Sequence, residues 1–256
     1  MKKYIDDFIV TDNRRLNHEY VILTLQLSRE LPEILPGQFA EVKVDNGPNT
    51  FLRRPISIHD IDRDKRQVKL LVQEIGEGTH IMGGLQKGDK LNLVYPLGNS
   101  FSTPAVKEVL LVGGGCGVAP LLYLGRQLKE QGITPRFLIG AKDRGGLIAL
   151  DEYEKVGEVN VTTEDGSMGT KGFVVHHPLM KSDTPVYSHI YTCGPEPMMK
   201  AVAKFAEKHG IKCEVSLENR MACGIGACLC CVTDTKDGHV CTCTDGPVFD
   251  STYLKW

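Results

Sequence analysis

The chain is 256 residues long, 41% hydrophobic and 24% charged, with a formal net charge of −2. That length is enough for two or three domains with buried cores. The near-neutral balance gives no electrostatic reason to expect nucleic acid or an anionic membrane as partner. Asp6 and Asp7 interrupt the opening MKKYIDDFIV before a signal-type apolar segment forms. The longest apolar run, residues 109–124, is broken by glycines and a proline and is shorter than a membrane span. A cytoplasmic location is expected, where nine cysteines point to metal or redox chemistry rather than a disulfide framework.

The first hundred residues read as short strands punctuated by turn residues, at 20–27, 37–44, 67–74 and 90–98, the pattern of an antiparallel barrel. Between them, FLRRPISI (residues 51–58) sets Arg53 and Arg54 beside a proline that fixes the local backbone. Arginine at a strand end suits bidentate phosphate recognition, although a solvated surface pair has the same sequence. Further on, GEGTHIMGGL offers Gly78 and Thr79 at the start of a short helix, their amides facing an anion or serving as an ordinary cap.

After Pro104 the pattern changes. EVLLVGGG is a buried strand, APLLYLGRQLKEQG an amphipathic helix with a glycine stop, and PRFLIGAKD, VNVTTED and HIYTCGP are further strands before the helix EPMMKAVAKFAEKHG. Strands alternating with helices imply a parallel sheet with crossover connections. Gly113, Gly114, Gly115 and Gly117 form a turn between strand and helix, the shape of a phosphate-binding unit, but Val118 takes the third glycine position of the dinucleotide fingerprint. Cys193, Gly194 and Pro195 fall at the same carboxyl edge of the sheet, where ligands of open α/β sheets bind. In GAKDRGG, Lys142 and Arg144 suit a 2′-phosphate while Asp143 repels one.

Beyond Lys212 comes a cysteine-rich tail too small for a hydrophobic core of its own. Cys223, Cys228 and Cys231 have the C-x4-C-x2-C spacing of plant-type [2Fe–2S] ferredoxins. Structural zinc sites instead pair their thiolates in two separated short motifs. Gly224 and Gly226 permit a loop whose amides point at anionic sulfurs. Cys230, adjacent to Cys231, is expected to be an apolar filler, Cys213 a core residue and Cys116 a packing residue. Spacing alone leaves the fourth ligand open between Cys241 and Cys243.

Taken in order, these motifs resemble the ferredoxin–NADP reductase superfamily over nearly the whole chain. Within it, MACGIGAC and DGPVF are similar to the electron-transfer subunits of class 1B dihydroorotate dehydrogenase. The resemblance implies an α+β multidomain fold: an antiparallel β-barrel flavin domain at 1–103, an α/β parallel-sheet nicotinamide domain at 104–212 and a small [2Fe–2S] domain at 213–256. It implies FAD held by Arg54, Pro55, Ile56 and Ser57, by main-chain contacts of Leu71, Val72 and Gln73, and by Gly78 and Thr79 at the pyrophosphate. Ile56 stands where the broader superfamily has a tyrosine. NAD would lie along the turn from Gly113 to Pro120 and at Cys193, Gly194 and Pro195. Cys243, two residues before the Asp-Gly-Pro, is implied as the fourth cluster ligand.

The implied role is electron transfer between NAD and an FMN-bearing catalytic subunit, with two copies of each subunit and FAD converting between two-electron and one-electron steps. The chain has no room for an orotate-binding barrel of roughly 250 residues, so it is not expected to oxidise dihydroorotate alone. Two alternatives remain: a flavin/iron–sulfur subunit of a hydrogenase or of a ferredoxin:NADP⁺ oxidoreductase, and a non-catalytic zinc-binding adaptor or redox sensor.

Overall fold

A computed structural model describes residues 2–45, 47–106 and 108–256. Its first half is β1 (Tyr4–Arg15), β2 (Tyr20–Gln26), β3 (Phe39–Val42), β4 (Arg54–Asp62), β5 (Gln67–Gln73), helix α1 (Glu77–Gly83) and β6 (Lys90–Leu97). The strands close a barrel in the order β1-β2-β5-β4-β3-β6, with antiparallel neighbours. Strand β1 was not among the expected elements, because its aspartates mask the alternation. Phe8 and Val10 are fully buried, while Asp6 turns to the side, accepting from the Tyr95 hydroxyl at 3.0 Å and pairing with Arg29 at 2.5 Å.

The next stretch comprises β7 (Glu108–Gly114), α2 (Ala119–Glu130), β8 (Thr134–Ala141), α3 (Leu150–Glu154), β9 (Glu158–Thr163), β10 (Thr170–Lys171), β11 (His189–Cys193), α4 (Glu196–Lys208) and β12 (Lys212–Ser216). The tail adds β13 (Val232–Thr235), β14 (Gly238–Cys241), α5 (Thr242–Asp245) and β15 (Val248–Asp250). A seven-stranded sheet runs β10-β9-β8-β7-β11-β12-β15, parallel except where β15 meets β12. Its central strand β7 is buried on both faces, which is why it reads as a continuous Val/Leu run. The expected parallel strands are present, and β12 and β15 extend the sheet. β12 escaped the sequence reading because Glu214 breaks its apolar run. Glu214 is buried by accepting the Ser102 N–H at 2.9 Å and the Ser102 hydroxyl.

Two compact units result. One joins the first hundred residues to Asn219–Thr233 and Val240–Pro247; the other joins Phe101–Glu218 to Asp234–His239 and Val248–Trp256. The cysteine loop therefore belongs to the same unit as the barrel, and the ends of the tail belong to the sheet. Among the described residues, no helix is long and apolar enough to cross a membrane.

Candidate redox-cofactor sites

The cysteine loop packs on the barrel through a small buried cluster of Phe39, Leu97, Cys231 and Cys243. Gly224 and Gly226 have φ of +65° and +78°, left-handed values that side chains disfavour. Main-chain amides point at sulfur: Ile225 N–H donates to Cys223 Sγ at 3.5 Å and Gly226 N–H to Cys243 Sγ at 3.2 Å. The Cys243 N–H donates to Cys231 Sγ at 3.4 Å. These are the contacts a thiolate-bound anionic cluster requires.

Desolvation pushes the Cys223 thiol up, but N–H groups of Ile225, Cys228 and Ala227 outweigh it and bring it down to about 6. Burial and the neighbouring Cys231 push the Cys243 thiol up. Cys228 is exposed on the loop. Cys241 is only partly buried, and its N–H donates to Asp245 Oδ2 at 2.9 Å. Among the described residues no group of three or more His, Cys, Asp or Glu is gathered to hold a single metal ion. The expectation for Cys230 is corrected: it is exposed, because the turn that buries Cys231 leaves its neighbour outside. Cys213 is buried as expected.

On the barrel, register creates a seam. The β4–β5 ladder runs from Asp62↔Gln67 only to Ile58↔Leu70. Past that point Arg54 to Ser57 stay paired to β3 and Leu71 to Gln73 to β2. A continued ladder would set Ser57 opposite Leu71, Ile56 opposite Val72 and Pro55 opposite Gln73. The two lips of this seam are thus the two expected flavin segments, each with backbone polar groups on its open edge.

Helix α1 lies at the end of the seam. Its cap is Gly76 rather than the Gly78-Thr79 pair, and the Thr79 hydroxyl folds back to accept the Gly76 and Ile75 N–H groups at 3.0 Å. A Cβ on Gly78 would sit 2.9 Å from Arg54 Nε, so the guanidinium lies over the first turn of the helix. The paired arginines separate in role. Arg53 is spent on the barrel, bonding the Glu41 and Asn92 carbonyls and Asn92 Oδ1. Arg54 donates to the nearby Leu52 carbonyl and brings positive charge over the first turn of the helix.

On the parallel sheet, β7 and β11 pair in register from Val109↔His189 to Gly113↔Cys193, placing the glycine turn and Cys193-Gly194-Pro195 side by side. A Cβ on Gly117 would lie 2.4 Å from Gly194 Cα and N, and one on Gly114 would lie 2.7 Å from Met198 Sδ. Only bare backbone permits this approach. Val118 fills the missing glycine position by packing beneath Gly113. Cys193 is fully buried, its thiol 3.9 Å from Glu218 Oε1. Asp143, at the end of β8, accepts the Gly146 N–H at 3.0 Å.

Sequence reasoning missed Glu218 beside Cys193 and Glu41 beneath the cysteine loop. Both are single acidic residues, Glu41 within β3 and Glu218 just beyond β12, without a spacing signal.

A flavin-type barrel seam, a sheet edge shaped for a dinucleotide and a ferredoxin-type cysteine loop define an NAD-linked oxidoreductase of the electron-transfer class. The family model for the "iron-sulfur cluster binding domain of dihydroorotate dehydrogenase B" matches residues 218–255, and that for the "oxidoreductase NAD-binding domain" matches residues 111–204. Two similar proteins, from Fusobacterium nucleatum and Lysinibacillus sphaericus, are both called dihydroorotate dehydrogenase B (NAD(+)), electron transfer subunit. The first is 41% identical over 84% of this chain and 84% of its own; the second is 41% identical over 89% and 90%. A solved NADH-dependent reduced ferredoxin-NADP oxidoreductase, described for flavin-based electron bifurcation, superposes with a TM-score of 0.87 at 28% identity, covering 97% of this chain and 90% of that one. The chain belongs to the family of dihydroorotate dehydrogenase B electron transfer subunits.

Proposed function

We propose that this chain carries electrons between NAD⁺ and an FMN-bearing dihydroorotate dehydrogenase catalytic subunit, in pyrimidine biosynthesis in the cytoplasm, as one half of a heterotetramer with two copies of each subunit. The bound groups supply the redox chemistry: hydride exchange by NAD, one-electron exchange by a [2Fe–2S] cluster, and conversion between the two by FAD. Segments 1–103, 104–212 and 213–256 carry FAD, NAD and the cluster.

The residues bind and orient. Arg54 and the first-turn amides of Gly78 and Thr79 hold the FAD pyrophosphate. Pro55, Ile56 and Ser57 on one lip, and Leu71, Val72 and Gln73 on the other, hold its ring edge by backbone groups. The close-packed glycines and Cys193-Gly194-Pro195 hold NAD. Cys223, Cys228, Cys231 and Cys243 ligate the cluster, with Ile225 and Gly226 amides stabilising sulfur charge. The observation that carries this reading is the amide-lined cysteine loop packed on the barrel that bears the flavin seam.

The test is an anaerobic NADH titration of the purified chain, followed by visible absorbance and low-temperature EPR. Flavin bleaching with a one-electron cluster signal is expected. The chain alone should reduce an artificial acceptor with NADH yet leave dihydroorotate unoxidised until the catalytic subunit is added. Dihydroorotate oxidation by the chain alone, or a colourless protein, would overturn the proposal. The likeness to the bifurcating oxidoreductase raises a second reading, a flavin/iron–sulfur subunit of a ferredoxin-linked complex. The higher identity to the dihydroorotate dehydrogenase B subunits favours the first.

A further inference from the structure

The two most exposed large apolar side chains among the described residues are Phe51, at 90%, and Ile75, at 78%; Leu52, next to Phe51, is 55% exposed. Apolar residues exposed singly need no explanation, but a group of them beside a binding site marks surface that a ligand covers. The chain around Phe51 is fixed by its own bonds. Thr50, immediately before it, is buried, with its hydroxyl facing the Val44 and Gly47 carbonyls at 3.1 and 2.9 Å. A Cβ on Gly47 would lie 2.8 Å from Ile81 Cδ1, so the turn that delivers Phe51 rests on helix α1.

The arginine at the end of the seam links these residues. Arg54 donates to the Leu52 carbonyl, and its guanidinium lies over the first turn of α1 at Gly78. The same turn holds Ile75, whose N–H donates to the Thr79 hydroxyl at 3.0 Å. Phe51 and Leu52 thus reach the phosphate anchor from the β3–β4 connection, and Ile75 reaches it from the β5–α1 connection. In FAD the group that follows the pyrophosphate is adenosine, a ribose carrying a flat ring with two stackable faces. Neither Phe51 nor Ile75 has a charge or a hydrogen-bonding side chain to offer. What they offer is contact area, an aromatic face from one and an aliphatic edge from the other, and a nucleobase uses both.

We propose that Phe51 and Ile75 form the subsite for the adenine ring of FAD, gripping the base by stacking and apolar contact next to the pyrophosphate anchor. Covering the two side chains removes apolar surface from water, which favours the bound state. The subsite makes the barrel select FAD over FMN, because FMN ends at its phosphate and has no base to place there. The inference rests on the pyrophosphate assignment to Arg54, Gly78 and Thr79 proposed above.

The experiment measures FAD and FMN binding by equilibrium dialysis against the full chain after removal of its flavin, for wild type, Phe51→Ala, Phe51→Tyr, Ile75→Ala and Arg54→Ala. Phe51→Ala should weaken FAD binding roughly 5- to 150-fold, the range of an aromatic contact to a base, and leave FMN binding unchanged. Phe51→Tyr keeps the ring face and should bind FAD as wild type does. Ile75→Ala should also weaken FAD and spare FMN, and it carries the test alone if Phe51→Ala fails to fold. Alanine variants that weaken both flavins alike, or neither, would overturn the subsite. Arg54→Ala should weaken both flavins, since each brings a phosphate to the guanidinium. If it weakens neither, the pyrophosphate assignment falls and this inference with it. Loss of both flavins in Arg54→Ala, with an unchanged FAD-to-FMN ratio in the alanine variants at 51 and 75, would overturn the subsite alone.

Discussion

Replacing Gly117 with alanine tests whether the dinucleotide edge depends on bare backbone. The new Cβ would meet Gly194 Cα and N at 2.4 Å and the Cys193 carbonyl carbon at 2.5 Å, whereas ordinary contact begins at 3.4 Å. All three atoms are backbone, so no side-chain rotation relieves the overlap and one turn must move by about 1 Å, an overpacking that typically destabilises by about 1–3 kcal/mol. If that falls on NAD binding, affinity drops roughly 5- to 150-fold, since 1.4 kcal/mol is about tenfold. The assay is NADH-driven reduction of an artificial acceptor over a range of NADH concentrations, with thermal unfolding measured in parallel. KM for NADH should rise or the unfolding midpoint fall, while flavin and cluster absorbance, whose proposed sites lie in the barrel unit, persist. A G117A chain with wild-type KM and wild-type unfolding would show that the two turns need not touch, and would refute the reasoning.

Cys243→Ser should abolish the cluster absorbance and bound iron while Cys241→Ser retains both, because the Gly226 amide is aimed at Cys243; the opposite pattern would sink the ligand assignment. Arg54→Ala should release FAD on gel filtration, since a charged hydrogen bond contributes about 1.5–3 kcal/mol; full flavin retention would count against its phosphate role. Acid should destabilise the sheet unit through Glu214. Burial raises its pKa, but His189, at 3.3 Å, and the Ser102 N–H and hydroxyl outweigh burial and hold it below 4.5. A depressed folded-state pKa gives stability that is present above the unfolded value and lost as pH falls through the folded one. Glu214→Gln should therefore flatten the acid limb of urea midpoints against pH, and an unchanged limb would remove Glu214 from the account.

Local patterns made much of the fold legible. Residues 20–27 and 67–74 alternate or run apolar cleanly and became β2 and β5 within a residue or so, because each strand's buried face is written in its own side chains. β1 and β12 were not legible. Asp6 is tolerated by a hydroxyl and a guanidinium from distant residues, and Glu214 by a serine more than a hundred positions away. Local periodicity carries no trace of partners supplied by the fold.

The sites divide in the same way. C-x4-C-x2-C points to a cluster chemistry by itself, because three cysteines on one loop are local, whereas the arginines beside Pro55 suit phosphate recognition or a solvated surface equally when read alone. Tertiary structure alone separated Arg53, bound into the barrel, from Arg54, which faces the helix amides. It alone opened the seam between β4 and β5, a matter of register between strands rather than of either strand. It alone set Glu41 under the cysteine loop, some 180 positions away in the chain. Spacing within one segment is fixed by covalent geometry, so the sequence determined which chemistries this protein carries. Contact between segments is fixed only when the chain packs, so the tertiary structure decided which residues face them.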